Sequence, residues 1–142
     1  MPRRRRLYFI LALLTIAVGL FEHRSSGLLS PRQRDICGDA LWAMMMVWWI
    51  SVIAPHRSLA WRATVAYTVC VIVEVSQLIH FPALDSLRGT RVGHLVLGSD
   101  FDVRDLLAYA LGVLLAAFVA RALTKLLSRN GKSSRADTKL TR

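Results

Sequence analysis

Acidic residues are scarce in this sequence. Nine Asp and Glu stand against nineteen Lys and Arg, a formal charge of +10, in a 142-residue chain that is 54% hydrophobic. A soluble domain of this length is rarely so apolar, because too little polar sequence is left to coat it. The basic excess and the apolar bulk reconcile if the charges sit at the ends of membrane-spanning segments. A second lack argues against nucleic acid as a partner: the arginines flank apolar runs, and no basic patch is interleaved with aromatics. Cysteine is nearly missing. Cys37 and Cys70 have no metal-ligand spacing, and Cys70 lies inside an apolar run, where cysteine behaves as a small hydrophobe. No Ser or Cys stands in a nucleophile motif, no internal repeat is visible, and the histidines and acids show no standard metal spacing. These lacks assign no catalytic residue, no metal ligand and no cofactor.

Four apolar stretches are present: Leu7–Phe21, Ala40–Ala54, Ala60–Phe81 and Leu106–Ala120. Crossing hydrocarbon takes about 20 residues, and these uncharged cores are shorter. Flanking Arg and Lys can snorkel, and interfacial Trp and Tyr extend the reach. The expected fold is therefore all-α. It is a polytopic four-helix transmembrane bundle with spans near 7–21, 36–54, 60–81 and 103–124. These form one membrane domain over 1–127, followed by a basic disordered tail over 128–142. The first stretch, behind Arg3–Arg6, also fits a secretory signal; the poor cleavage site after it favours an uncleaved anchor.

Orientation follows from the connections. The N-terminal arginines, the Arg57 and Arg62 connection, and the Lys/Arg-rich tail fall on one side of a four-span chain. The positive-inside rule makes that side, with both termini, cytoplasmic. Of the nine acids, only Glu74 and Asp137 lie outside the other two connections, which face outward.

Glu74 is the residue hardest to explain by hydrocarbon alone. A carboxylate within a span costs a few kcal/mol or more and must face protein or water. At helical spacing it shares a face with Tyr67, Cys70, Gln77 and Phe81. With the helix running to Pro82, it lies two turns, about 10 Å, below the outer end. The stretch Pro82–Asp105 then carries Asp85, Arg88, Arg91, His94, Asp102 and Asp105 among apolar residues, broken by Gly89, Gly93 and Gly98. It reads as a re-entrant or interfacial segment between helices three and four. Asp102 is expected to cap the last helix, with Asp105 in its first turn. Asp39, after Gly38, is expected to cap the second span or join the cluster. Ala108, Gly112, Ala116 and Ala120 form a small-residue seam suited to close packing within the chain or between copies.

These motifs carry a resemblance. "GDALWA", "EVSQLIH", "LDSLRGTRVGHLVLG" and "DLLAYALGV" resemble a small inner-membrane family catalogued as domain of unknown function 2809. More distantly, Glu74-x-x-Gln77, Arg88, and Asp105 with Gly112 seven later are similar to the VanZ-like membrane family, in which Tyr109 is usually asparagine. The resemblance implicates Glu74, Gln77, Arg88 and Asp105, and no reaction.

Three functions fit this sequence. The first is an outward-facing cluster of Glu74, Gln77, Asp85, Arg88, Arg91 and Asp105, with Asp39, His80, His94 and Tyr109 around it. It would bind an anionic membrane lipid or a lipid-linked envelope precursor through its arginines. The second is a scaffold or regulator in which Arg88 or Arg91 pairs with Glu74 and Asp105 and only fixes helix register. The third is an enzyme using Glu74 with His80 or His94, or a metal held by Asp85, His94 and Asp105.

Overall fold

The computed structural model describes residues 3–24, 29–98 and 101–140; the side chains at 3, 23, 24, 91, 94, 95 and 127–140 lie outside the description. Within these residues the chain is all-α. Its helices are α1 (Arg3–Arg24), α2 (Pro31–Ile53), α3 (Leu59–Ser76), α4 (Pro82–Arg88), α5 (Arg91–Leu97) and α6 (Val103–Leu140).

Local signals set the helix ends. Ser30 and Gln33 form a reciprocal capping box ahead of Pro31, the first residue of α2. Pro55 follows its last turn. Ser58 caps α3 by accepting from the Trp61 amide at 3.1 Å. Pro82 opens α4, and Gly98, at φ +66°, ends α5 in the left-handed region that favours glycine. Asp102 caps α6: its Oδ1 accepts from the Arg104 amide at 2.9 Å.

Two boundaries differ from the sequence reading. The third apolar stretch runs unbroken to Phe81, but α3 stops at Ser76. The amides of Gln77, Leu78 and Ile79 bond back three residues, and the carbonyls of Ser76 and Ile79 turn to Arg88 instead of continuing the helix. Glu74 therefore sits in the last turn of α3, not two turns below its end. At the other boundary, α6 is helical in backbone over Val103–Leu140; its apolar part is Val103–Leu126.

Among the described residues three helices are long and apolar enough to cross a membrane: α2, α3 and the Val103–Leu126 part of α6. The expected first span falls in α1, whose uncharged part, Leu7–Phe21, is framed by Arg6 and Glu22 and does not meet that length and composition among the described residues. α2 is the central element. It packs against α1, α3 and α6, and α3 also packs on α6. The core is small-residue rich, with Ala12, Ala43, Ala66 and Ala116 fully buried around Val47 and Trp48. Trp48 donates its indole N–H to Thr15 at 3.2 Å and stacks on Tyr8, centroids 6.0 Å apart. Large apolar side chains instead cover the outside: Leu14, Val18, Ile72, Leu107, Leu114 and Phe118 are all more than half exposed. An apolar exterior around an alanine-rich core is the packing of helices in lipid, where no hydrophobic force drives helices together and close approach must hold them. The chain is accordingly an integral membrane protein.

The Ala108–Ala120 seam is used inside the chain. Ala108, Ala116 and Ala120 are buried, and a Cβ at Gly112 would lie 2.0 Å from the carbonyl oxygen of Ala40 in α2. Gly112→Ala should therefore force α2 and α6 apart and lower the unfolding midpoint in detergent, a loss of roughly 1–3 kcal/mol. Gly38→Ala, where an added Cβ meets nothing within 4 Å, should leave the midpoint unchanged or raise it.

Candidate functional site

Glu74 is fully buried and its carboxyl group accepts three hydrogen bonds. Gln77 Nε2 donates to Oε2 at 3.1 Å, the Tyr109 hydroxyl donates to Oε2 at 2.8 Å, and the Asp102 amide donates to Oε1 at 2.9 Å. The donors come from the end of α3, from α6 and from the residue that caps α6. Tyr67 adds a second tie, donating to the Leu106 carbonyl at 3.4 Å. Gln77, 5% exposed, is itself packed against Gly98, where a Cβ would lie 2.3 Å from Gln77 Nε2. So Gly98 is required twice, for its backbone angle and for its lack of a side chain. The Gln77 Oε1 is buried with no hydrogen-bond partner.

Asp105 and Asp39 complete the group. They act electrostatically on each other, and each also feels the charge of Glu74. Both are only partly buried. Asp39 does not cap α2. That helix starts at Pro31, which places Asp39 inside it, facing α6. Three acids, one each from α2, α3 and α6, thus lie at the same end of the molecule, and among the described residues none of them has a salt bridge.

Arg88 is the main departure from the expected cluster. It is buried, and its guanidinium donates to the Ser76 carbonyl at 2.7 Å, the Ile79 carbonyl at 2.9 Å and Asp85 Oδ1 at 3.4 Å. It caps the end of α3 as a C-terminal cation does, sharing the Ser76 carbonyl with the Ile79 amide, and no ion pair joins it to Glu74 or Asp105. Only its Nε is left buried without a partner. Asp85 is shared with His80, whose exposed ring lies 3.3 Å away and so is not placed to act with Glu74. The side chains of Arg91 and His94 lie outside the described residues. No group of three His, Cys, Asp or Glu able to hold a metal occurs among the described residues; both cysteines are free thiols.

The expected residues thus separate into two groups. Glu74, Gln77, Asp105, Tyr109 and Asp39 form an acidic cluster, while Arg88, Asp85 and His80 form a clip over the end of α3. Spacing alone could place Glu74 and Gln77 on one face. It could not show that Asp102 reaches Glu74 through its backbone, because any residue can supply that donor.

These features define a helical membrane protein with a buried polar group at one end of its spans. The chain belongs to the family described as "Protein of unknown function (DUF2809)", whose model matches residues 30–113. That match covers the capping box of α2, the Glu74 cluster and Tyr109. No solved structure matches the chain.

If Arg88 fixes the end of α3, Arg88→Ala should speed amide exchange across residues 78–98 by roughly ten- to a hundredfold, the loss of charged hydrogen bonds of about 1.5–3 kcal/mol. Arg88→Lys should recover only part, because one ammonium cannot match the forked contact to two carbonyls.

Proposed function

We propose that this is a four-span protein of the inner (cytoplasmic) membrane with both termini inside, and that its outward-facing cluster binds a lipid-linked envelope component. In this reading α4 and α5 lie at the outer interface. Leu87, Val92 and Phe81 on this segment are about half or more exposed, as suits lipid contact. The re-entrant placement brings the end of α5, through Gly98 and Gln77, onto the cluster.

The observation that carries the proposal is the division of labour among the acids. Glu74 is saturated by donors of this chain, whereas Asp39 and Asp105 are partly accessible. Carboxyl groups accept hydrogen bonds, so they suit a ligand rich in donors, such as the hydroxyls of a lipid-linked sugar or a headgroup amine. Arg88 is occupied by carbonyls, so recognition rests on the ligand's donors and not on its phosphate. The similarity to VanZ-like proteins, which are linked to resistance to a teicoplanin-type glycopeptide, points to the same cell-envelope chemistry.

The rival reading is a scaffold or regulator whose cluster is purely structural. It is favoured by the complete burial of Glu74 and its full set of internal donors. Binding separates the two. The full chain in nanodiscs, titrated with a polyprenyl-phosphate-linked saccharide, should bind it. Asp39→Asn with Asp105→Asn should weaken binding about tenfold or more, and Leu87→Ala should not. Failure of the wild type to bind, or equal binding by the doubly substituted chain, leaves the scaffold reading standing.

A further inference from the structure

At the opposite end of the molecule a cleft of about 470 Å³ is lined by Arg4, Tyr8, Leu59, Arg62, Arg121 and Lys125. It lies where the start of α1 meets the α2–α3 connection and the far half of α6. Its volume is within the range of about 300–1,000 Å³ usual for small-ligand pockets. Four of its residues are basic and none is acidic.

Arg62 is the unusual member. It is 7% exposed, and its Nε and Nη1 are buried without a hydrogen-bond partner. Its guanidinium carbon lies 5.1 Å from the centre of the Tyr8 ring. A cation–π contact offsets part of the loss of water, but the ring offers no acceptor to those N–H groups. A buried arginine is ordinarily paired with a carboxylate. Among the described side chains the acids are at the wrong end: Asp39, Glu74 and Asp105 lie toward the opposite ends of α2, α3 and α6, and Asp85 belongs to the α4 clip. Arg5, at the same end, does have an acceptor: it donates to the Val52 carbonyl at 2.8 Å. Arg62 therefore needs an anion from outside the chain.

We infer that this cleft binds a phosphate group held by Arg62, and that the phosphate is the headgroup of an anionic glycerophospholipid in the leaflet on that side. Basic pockets between spans on the cytoplasmic side are built for this class of ligand. Guanidinium groups match a phosphate's oxygens in paired contacts. The site differs from the acidic cluster in location, charge and ligand, and it stands whether or not the outer-end reading holds.

The full chain, purified into nanodiscs of phosphatidylcholine, tests it when phosphatidylglycerol is titrated in and the thermal midpoint is followed. The wild type should be stabilised by phosphatidylglycerol, and inorganic phosphate in phosphatidylcholine discs should not reproduce the shift. Arg62→Met should weaken the half-point of the response about ten- to a hundredfold, Arg62→Lys should restore part of it, and Arg57→Gln should leave it within about twofold. Each variant's midpoint in pure phosphatidylcholine is its own reference, so a less stable variant still reports. An undiminished response in Arg62→Met, or no preference for phosphatidylglycerol in the wild type, overturns the inference. A shift with inorganic phosphate equal to that with lipid overturns the lipid and assigns the cleft to a soluble phosphate.

Discussion

One carboxyl group organises the end of this protein where α3 stops and α6 starts. Glu74 is buried completely, and a buried carboxyl without donors costs several kcal/mol. Its three donors can be in place together only if α3 ends close beyond it, α6 begins at Val103 and Tyr109 turns toward α3. Asp102 serves both requirements, giving its amide to Glu74 and its side chain to the first turn of α6. The start of one helix is thus set by an acid on another. Arg88 does the complementary work, closing the carbonyls where α3 stops so that α4 can fold back. Remove the carboxyl, and these ends have no common point of reference.

The charge of the molecule is divided between its ends. Glu74, Asp39 and Asp105 lie toward one, and a cleft with four basic residues lies at the other. Between them the exterior is leucine, valine and phenylalanine, and the interior is alanine with few polar ties, chiefly Trp48 to Thr15. In hydrocarbon such ties are modest individually, so close approach of small residues carries much of the packing. Gly112 against Ala40 is the tightest approach that a glycine makes between two of the long helices. Fine adjustment is left to the ends, where water and headgroups meet the chain, and both proposed binding sites are found there.

Much of this was legible in the sequence, and the losses have physical causes. The apolar runs mark the long helices, Pro82 marks the start of α4, and Asp102 marks the start of α6. Gln77 falls beside Glu74 by helical spacing alone. The end of α3 was not legible, because Leu78, Ile79 and Phe81 remain apolar past the last helical residue and the stop comes from a guanidinium twelve residues on. Asp39 looked like a cap because the true start of α2 lies earlier, although the Ser30-x-x-Gln33 pattern signals it. Arg88 reads as the partner of Glu74 and Asp105 because charge complementarity is visible in a sequence, whereas its actual acceptors, the Ser76 and Ile79 carbonyls beside Asp85, are not. Arg62 was absorbed by the positive-inside rule, which accounts for its side of the membrane and says nothing of its burial.

The central claim is that Glu74 and Tyr109 act as one unit joining α3 to α6. A double-mutant cycle on the full chain in detergent tests it directly. Tyr109→Phe should cost about 1–3 kcal/mol in the wild-type background, where it removes a donor to a buried carboxyl group. In the Glu74→Leu background the same change should cost almost nothing, since the hydroxyl has already lost its acceptor. An equal cost in both backgrounds would mean that the two residues contribute independently, and that something other than this hydrogen bond holds the helices together.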